Sequence, residues 1–310
     1  MRLLGETQSL LLTGLADVWA AAQGRSDRPG DRVGLELMVV SAAMFALMAA
    51  VAKKLLPHTP MQAVVLSRGV LMTIVFVALA KRRGVRIVGS RPGVLLVRGL
   101  LGYAALSCYF WSVQHLPLGD AVLLQYSHPV FVAAVAPFAL HEPTGRWHWL
   151  LVLAALAGVA LIVGPTGTLR GAALVGLSGA VLSGLAYLAV RKLSRTEHPL
   201  TILVWFPLAS IPLSLVASVS AGARALPGSV SEVAGHLLVF GTALVGQITL
   251  TQGLARTGAA RATAVTMTGP VFGLLFGWLM FGTVPGATSV AGTVLVILAV
   301  IRLAAERPVP

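Results

Sequence analysis

The chain has 310 residues, room for two ordinary soluble domains, but 57% of them are hydrophobic and only 11% carry a formal charge, against about a quarter in soluble domains. Together with a mean hydropathy of +0.88, that composition excludes a water-facing globular fold, and the single cysteine excludes an intrachain disulfide framework. The net charge of +13 is a topology signal rather than a nucleic-acid footprint, because no basic patch interleaved with aromatics accompanies it.

Residues 1–32 precede the first long apolar run. Ser9 to Ala22 resembles a short signal h-region, but Asp17 interrupts it and one Arg makes a thin n-region. It is read as a cytoplasmic segment with a weak interfacial helix. From Val33 to Ala304 the turn signals divide the chain into ten spans. They run roughly over 33–52, 60–80, 93–113, 119–140, 147–164, 171–190, 199–219, 234–253, 262–281 and 285–304. Each can cross about 30 Å of hydrocarbon at about 1.5 Å per residue. Most joints carry Gly or Pro, such as Pro57 to Pro60, Gly164-Pro165 and Pro285-Gly286. The flanking runs are nearly continuous at Leu116 to Gly119, and the split is placed there because one 48-residue span is too long. The predicted fold is an all-α integral membrane protein of ten transmembrane helices.

Lys and Arg in alternate joints set the orientation. With the N-terminus cytoplasmic, 17 basic residues fall on that side, including Lys81, Arg82, Arg83, Arg86 and Arg91, against Lys53, Lys54, Arg170 and Arg224 on the other. The bias predicts a multi-pass protein of the cytoplasmic membrane with both termini inside.

At an offset of 141, Ala121–Phe131 falls over Ala262–Phe272, with Ala, Pro, Val and Phe coinciding and Pro129 over Pro270. Five spans is an odd number, so a second five-helix unit enters from the opposite face. The fold is therefore two inverted five-helix repeats, a frequent transporter device. Several motifs occur in order: Ser67-Arg68-Gly69, Arg98-Gly99, the stretch from Tyr109 to Ala121 running into Pro129-Val130-Phe131, and His141-Glu142-Pro143. Over residues 33–304 the chain thereby resembles the EamA-like branch of the drug/metabolite transporter superfamily. The resemblance implies two EamA repeats, residues 33–164 and 170–304, and transport of amino acids, related metabolites or drugs, most often as efflux. One departure is that Glu142 has Thr283 as its counterpart, where the family often carries an acid in both repeats.

Polar side chains at bilayer depth must face protein or a water-filled cavity. In span four, Gln125 and His128 share a face with Ala121, with Tyr126 beside them; in span eight Gln247 and Thr251 share a face, and span nine carries Thr266. These residues and Trp111 are the candidate solute contacts, with interhelical hydrogen bonding and an aromatic belt as the bland alternatives for His128 and Trp111. Pro129 and Pro270 each withdraw a backbone donor and release a carbonyl one turn earlier. Arg68 lies two turns inside span two, and the resemblance makes it a structural or anion-contacting charge. Arg98, near a helix end, is expected to snorkel to the cytoplasmic headgroups, with Glu36 and Glu142 on the same side. Gly269, Gly273 and Gly277 form a stripe for close helix approach, by packing within the chain or in a homodimer.

No carboxylate is placed at mid-membrane, so His128 alone titrates near neutrality there, and facilitated exchange is favoured over proton coupling. No phosphate-cradling loop is present, and His141-Glu142 with His148 lacks the spacing of a zinc helix; no cofactor and no metal are expected. The partners are a small-molecule solute and the lipid bilayer, with no nucleic acid. The function expected is a secondary transporter working by alternating access around a midplane site. A lipid flippase or scramblase is the alternative, and an intramembrane enzyme acting on a lipid carrier, without a second catalytic group in view, is a weaker one. Reporter fusions should place both termini in the cytoplasm; a C-terminus on the opposite face would overturn the ten-span reading.

Overall fold

The computed structural model describes residues 32–140, 146–163, 170–194, 196–220, 227–256, 265 and 268–305. Residues 1–31, the His141-Glu142-Pro143 turn and Thr266 lie outside the described residues. Among the described residues every regular element is a helix. The first six are α1 (Arg32–Leu55), α2 (Met61–Arg82), α3 (Pro92–His115), α4 (Leu118–Gln125), α5 (His128–Leu140) and α6 (Arg146–Val163). The rest are α7 (Arg170–Leu193), α8 (Pro199–Ser220), α9 (Val230–Arg256), α10 (Gly269–Phe281) and α11 (Ala287–Ala305). Seven stretches are long and apolar enough to cross a membrane, and Trp149–Ile162, Gly269–Phe281 and Ala287–Arg302 are shorter apolar helices where spans five, nine and ten are expected.

Helical backbone satisfies its own donors and acceptors, which is why long apolar runs adopt it. Proline marks several helix starts: Pro92 stands in the first turn of α3 and Pro199 opens α8, where the missing N–H has no intrahelical partner to lose. The joint near Leu116 falls where expected, α3 ending at His115 and α4 beginning at Leu118.

Span four, expected as one helix over 119–140, is instead broken between α4 and α5 at Tyr126 and Ser127. The cause is Pro129, which cannot donate to the carbonyl four residues back and whose ring displaces it. That carbonyl belongs to Gln125, and His128 Nδ1 donates to it at 2.9 Å.

The two halves echo each other. α1 and α7 both have 24 residues, α2 and α8 both 22, and α5 and α10 both 13. The bounds of α5 and α10 differ by the sequence offset at both ends, 269 − 128 and 281 − 140 each giving 141. Packing exchanges in the same way: α1 lies on α9 and α7 on α3, while α2 meets α8, α4 meets α10 and α6 meets α11. Small residues bring these helices together. A Cβ added at Gly158 of α6 would lie 2.8 Å from the Gly292 carbonyl of α11. The stripe on α10 faces α4, with Gly269 against the Tyr126 ring, Gly273 against Val122 and Gly277 against the turn at Leu118-Gly119. All three glycines are buried, so this chain's own α4 fills the stripe and leaves no surface there for a second copy.

α3 is pinned at both ends. At its start the buried Glu197 carboxylate, from the α7–α8 connection, accepts the N–H groups of Ser90 at 2.8 Å and Arg91 at 2.7 Å. Gly89 makes room for it: its φ is +70°, and a Cβ would sit 2.7 Å from Glu197 Oε2. Thr201 and Trp205 of α8 donate to the carbonyls of Arg86 and Ile87 in the same α2–α3 connection. At the other end of α3, Lys53 Nζ donates to the carbonyls of Val113 at 2.8 Å and Leu116 at 2.7 Å, a cation meeting carbonyls that the helix end leaves free. Glu197→Ala should destabilise the detergent-purified protein by about 2 kcal/mol, the scale of charge-assisted bonds lost, read as a fall of several degrees in melting temperature. An unchanged melting temperature would remove the clamp from the account.

Candidate functional site

A cavity of about 320 Å³ lies among α1, α3, α4, α7, α8 and α9, and so draws its walls from both halves. Its apolar and aromatic lining includes Phe45, Leu106, Tyr109, Ile202 and Phe206. The polar groups are few: Arg98, Gln125, Ser183, Tyr187, Gln247 and Thr251 carry most of the hydrogen-bonding capacity. Along α3 the cavity runs from Arg98 to Tyr109, and it reaches the α7–α8 end at Ser194 and Pro199. The other end of α3 is the one held by Lys53.

Gln125 is placed by the break in span four. As the last residue of α4, its side chain crosses to α7, where Nε2 donates to Ser183 Oγ at 2.9 Å. Its Oε1 is buried without a hydrogen-bond partner, an acceptor still owed a donor. Gln247 and Thr251 reach the cavity from α9 on the shared face the sequence predicts. The Thr251 hydroxyl donates to the Gln247 carbonyl at 2.8 Å, so it offers a solute only acceptor capacity.

Three expected contacts stand elsewhere. His128 is absent from the cavity wall; its Nδ1 holds the Gln125 carbonyl and its ring stacks on Tyr187 at 4.7 Å between centroids and 22° between planes. Because Nδ1 donates there, the proton on that nitrogen is fixed. The cavity residue is Tyr187, with His128 behind it. Tyr126 packs its ring against the start of α10 at Gly269. Trp111 stacks on His115 at 4.0 Å, in the last turns of α3 beyond the cavity. Ser127 is also committed, its hydroxyl donating to the Leu124 carbonyl. Pro129 and Pro270 occupy the second position of α5 and α10 and do not line the cavity.

Of the two intramembrane arginines, Arg98 differs from expectation. Arg98 does not snorkel: it lines the cavity with its guanidinium carbon 4.9 Å from the centre of the Phe206 ring, and its Nε and Nη1 are buried without partners. Glu36 is exposed and supplies neither nitrogen with an acceptor. Arg68 is 4% exposed, lies 5.4 Å from the same ring, and has an unpartnered Nε. What turns Arg98 inward is space. A Cβ at Gly102 would fall 2.6 Å from Arg98 Nη1 and 2.6 Å from the Phe206 ring. Ser183, Tyr187 and Phe206 escape sequence reading because hydroxyls and aromatics are common in such helices; for Arg98 the available signal was Gly102, one turn on along the same face. No group of three or more His, Cys, Asp or Glu able to hold a metal occurs among the described residues.

Membrane-length helices enclosing a cavity with few polar groups define a multi-pass transport protein. The model of the EamA-like transporter family matches the chain twice, over residues 32–164 and 170–304, and the chain belongs to that family, with two EamA repeats. A pseudopaline exporter of Pseudomonas aeruginosa is 33% identical over 279 residues, covering 87% of this chain and 95% of the exporter. Solute carrier family 35 member G1 of Mus musculus is 24% identical over 294 residues, covering 89% of this chain and 79% of the carrier. A riboflavin transporter of Rhizobium johnstonii is 27% identical over 205 residues, covering 66% and 67%. A solved crystal structure shares the fold with a TM-score of 0.61 at 19% identity, covering 86% of this chain and 93% of that one. The protein is thus a membrane transporter and not an enzyme.

His128→Ala should lower the melting temperature, because it strands the Gln125 carbonyl that Pro129 releases and removes a stacked ring, a loss of about 1–3 kcal/mol. A variant of unchanged stability that still fails to transport would instead return His128 to the solute path.

Proposed function

We propose that the protein is an exporter or exchanger of small organic metabolites, working by alternating access around the cavity between two inverted repeats in the cytoplasmic membrane, with both termini inside. The observation that carries this reading is the cavity itself. It is walled by helices of both repeats and lined by Gln125 of the first and Gln247 of the second, side chains that are costly in lipid unless a solute or water uses them. The exchange of packing partners between halves supports a pseudo-two-fold arrangement, and the positive-inside count supports the orientation. In this conformation the cavity reaches the Glu197 end of α3, while Lys53 and the carbonyls it holds stand at the other end, outside the lining. Residues 33–164 and 170–304 would then rock as two units, exposing the cavity to each face in turn.

The names of the relatives differ in cargo: one is a pseudopaline exporter and another a riboflavin transporter. Metabolites rather than ions are the common element. A lipid flippase would need Gln125, Tyr187 and Gln247 to line a groove open along its length to lipid; six helices around the cavity favour a solute instead.

Proteoliposomes preloaded with a mixed pool of amino acids and metabolites, with efflux read by mass spectrometry, test this. Wild-type protein should release a selective subset. Gln125→Leu and Gln247→Leu should each slow that release by about tenfold, the scale of one buried hydrogen bond left unmade, with melting temperatures close to wild type. Release from folded protein that is indifferent to both substitutions would contradict the cavity as the path.

A further inference from the structure

We propose that Arg98 binds a carboxylate of the transported solute, so that the cavity selects organic acids over their neutral counterparts. The inference rests on the transporter reading and deepens it. Arg98 is the one charged side chain lining the cavity among the described residues, and its Nε and Nη1 are buried with no hydrogen-bond partner. A guanidinium with two buried, unpartnered nitrogens and no counter-ion among the described residues is costly, and a carboxylate presenting two oxygens to its planar fork is the ligand that relieves that cost most completely.

The surroundings fit an anion site. Arg98 lies over the Phe206 ring at 4.9 Å, a contact that steadies a cation without consuming its N–H donors. Arg68 lies 5.4 Å from the centre of the same ring, adding positive potential without lining the cavity. Gly102 leaves the space that the guanidinium occupies, a Cβ there falling 2.6 Å from Nη1. Among the described residues no acidic side chain lines the cavity, so none of them competes for Arg98 or favours a solute of net positive charge. The remaining polar lining is neutral, and the unpartnered Gln125 Oε1 can accept a hydroxyl or amine hydrogen from the same molecule. The apolar walls at Phe45, Leu106 and Ile202 suit a hydrocarbon or aromatic body behind the carboxylate.

The experiment uses a panel of aromatic and aliphatic carboxylates, each paired with its isosteric primary amide. Every pair is loaded into the same proteoliposomes, and in parallel added to purified protein in lipid-free micelles for thermal-shift titration. Wild type should favour the acid by about tenfold or more, and Arg98→Gln should bring the acid-to-amide ratio near one. Arg98→Lys should retain part of the preference, and Gly102→Ala, which pushes the guanidinium off Phe206 without removing its charge, should reduce it. Two variants at different positions keep the test decisive if Arg98→Gln folds poorly. Efflux without acid preference, or a preference that survives Arg98→Gln, would overturn the proposal and leave the transporter reading intact. Absence of all efflux from folded protein would instead count against the transporter reading; Arg98-dependent stabilisation by the acids in micelles would still support the site, and its absence would overturn it. Stabilisation by added phosphatidylglycerol that requires Arg98, with no response to the carboxylates, would assign the residue to a lipid phosphate and overturn the proposal.

Discussion

A backbone carbonyl released inside an apolar helix has no water to turn to, and the structure around the cavity depends on how this one is satisfied. Pro129 frees the carbonyl of Gln125, and His128, three residues along, returns a donor to it. The helix can then stop and restart at Tyr126 and Ser127. Because it stops there, the Gln125 side chain leaves the end of α4 toward Ser183 of α7, and His128 is left flat against Tyr187. One missing N–H thus fixes an amide, a histidine and a tyrosine, two of which line the cavity. The break is held from the other half of the molecule by α10, whose glycines admit Tyr126 and Val122 at close range.

Electrostatics inside the bundle are lopsided. Among the described residues the cavity wall contains a guanidinium and no carboxylate, while Glu197 and Lys53 stand at the two ends of α3. Glu197 gathers the N–H groups before α3, and Lys53 gathers the carbonyls after it. Each sits where the partial charge of the helix end has the opposite sign. Glu197 thereby ties the second half to the first, whereas Lys53 ties α1 to the end of α3 within the first half.

Much of the helical pattern was legible in the sequence, because lipid imposes a length on each apolar run and Gly or Pro marks the joints. The split at Leu116 to Gly119 succeeded on length alone. Gln125, Gln247 and Thr251 were legible as cavity residues because few polar groups interrupt those runs. His128 was read as a solute contact, although the carbonyl that claims it lies only four residues before Pro129. Trp111 was claimed just as locally, by His115 one turn on. Arg98 was misread for a different reason. Its distance from the helix end suggested the headgroups, whereas its direction is decided by Phe206, which belongs to α8 and becomes its neighbour only in the folded bundle. The glycine stripe was seen, but which helix would fill it depends on the crossing of α4 and α10 and has no signature along the chain.

The claim at the centre of this account is that the cavity between the repeats is a path open to one face at a time. Side-specific labelling of a buried wall position tests it most directly: Ser183→Cys in a Cys108→Ala background, probed with a membrane-impermeant thiol reagent added to either face of oriented vesicles. The account predicts labelling from the face at the Glu197 end and protection by a transported solute. Labelling from neither face in folded, active protein, or from both at once, would contradict it.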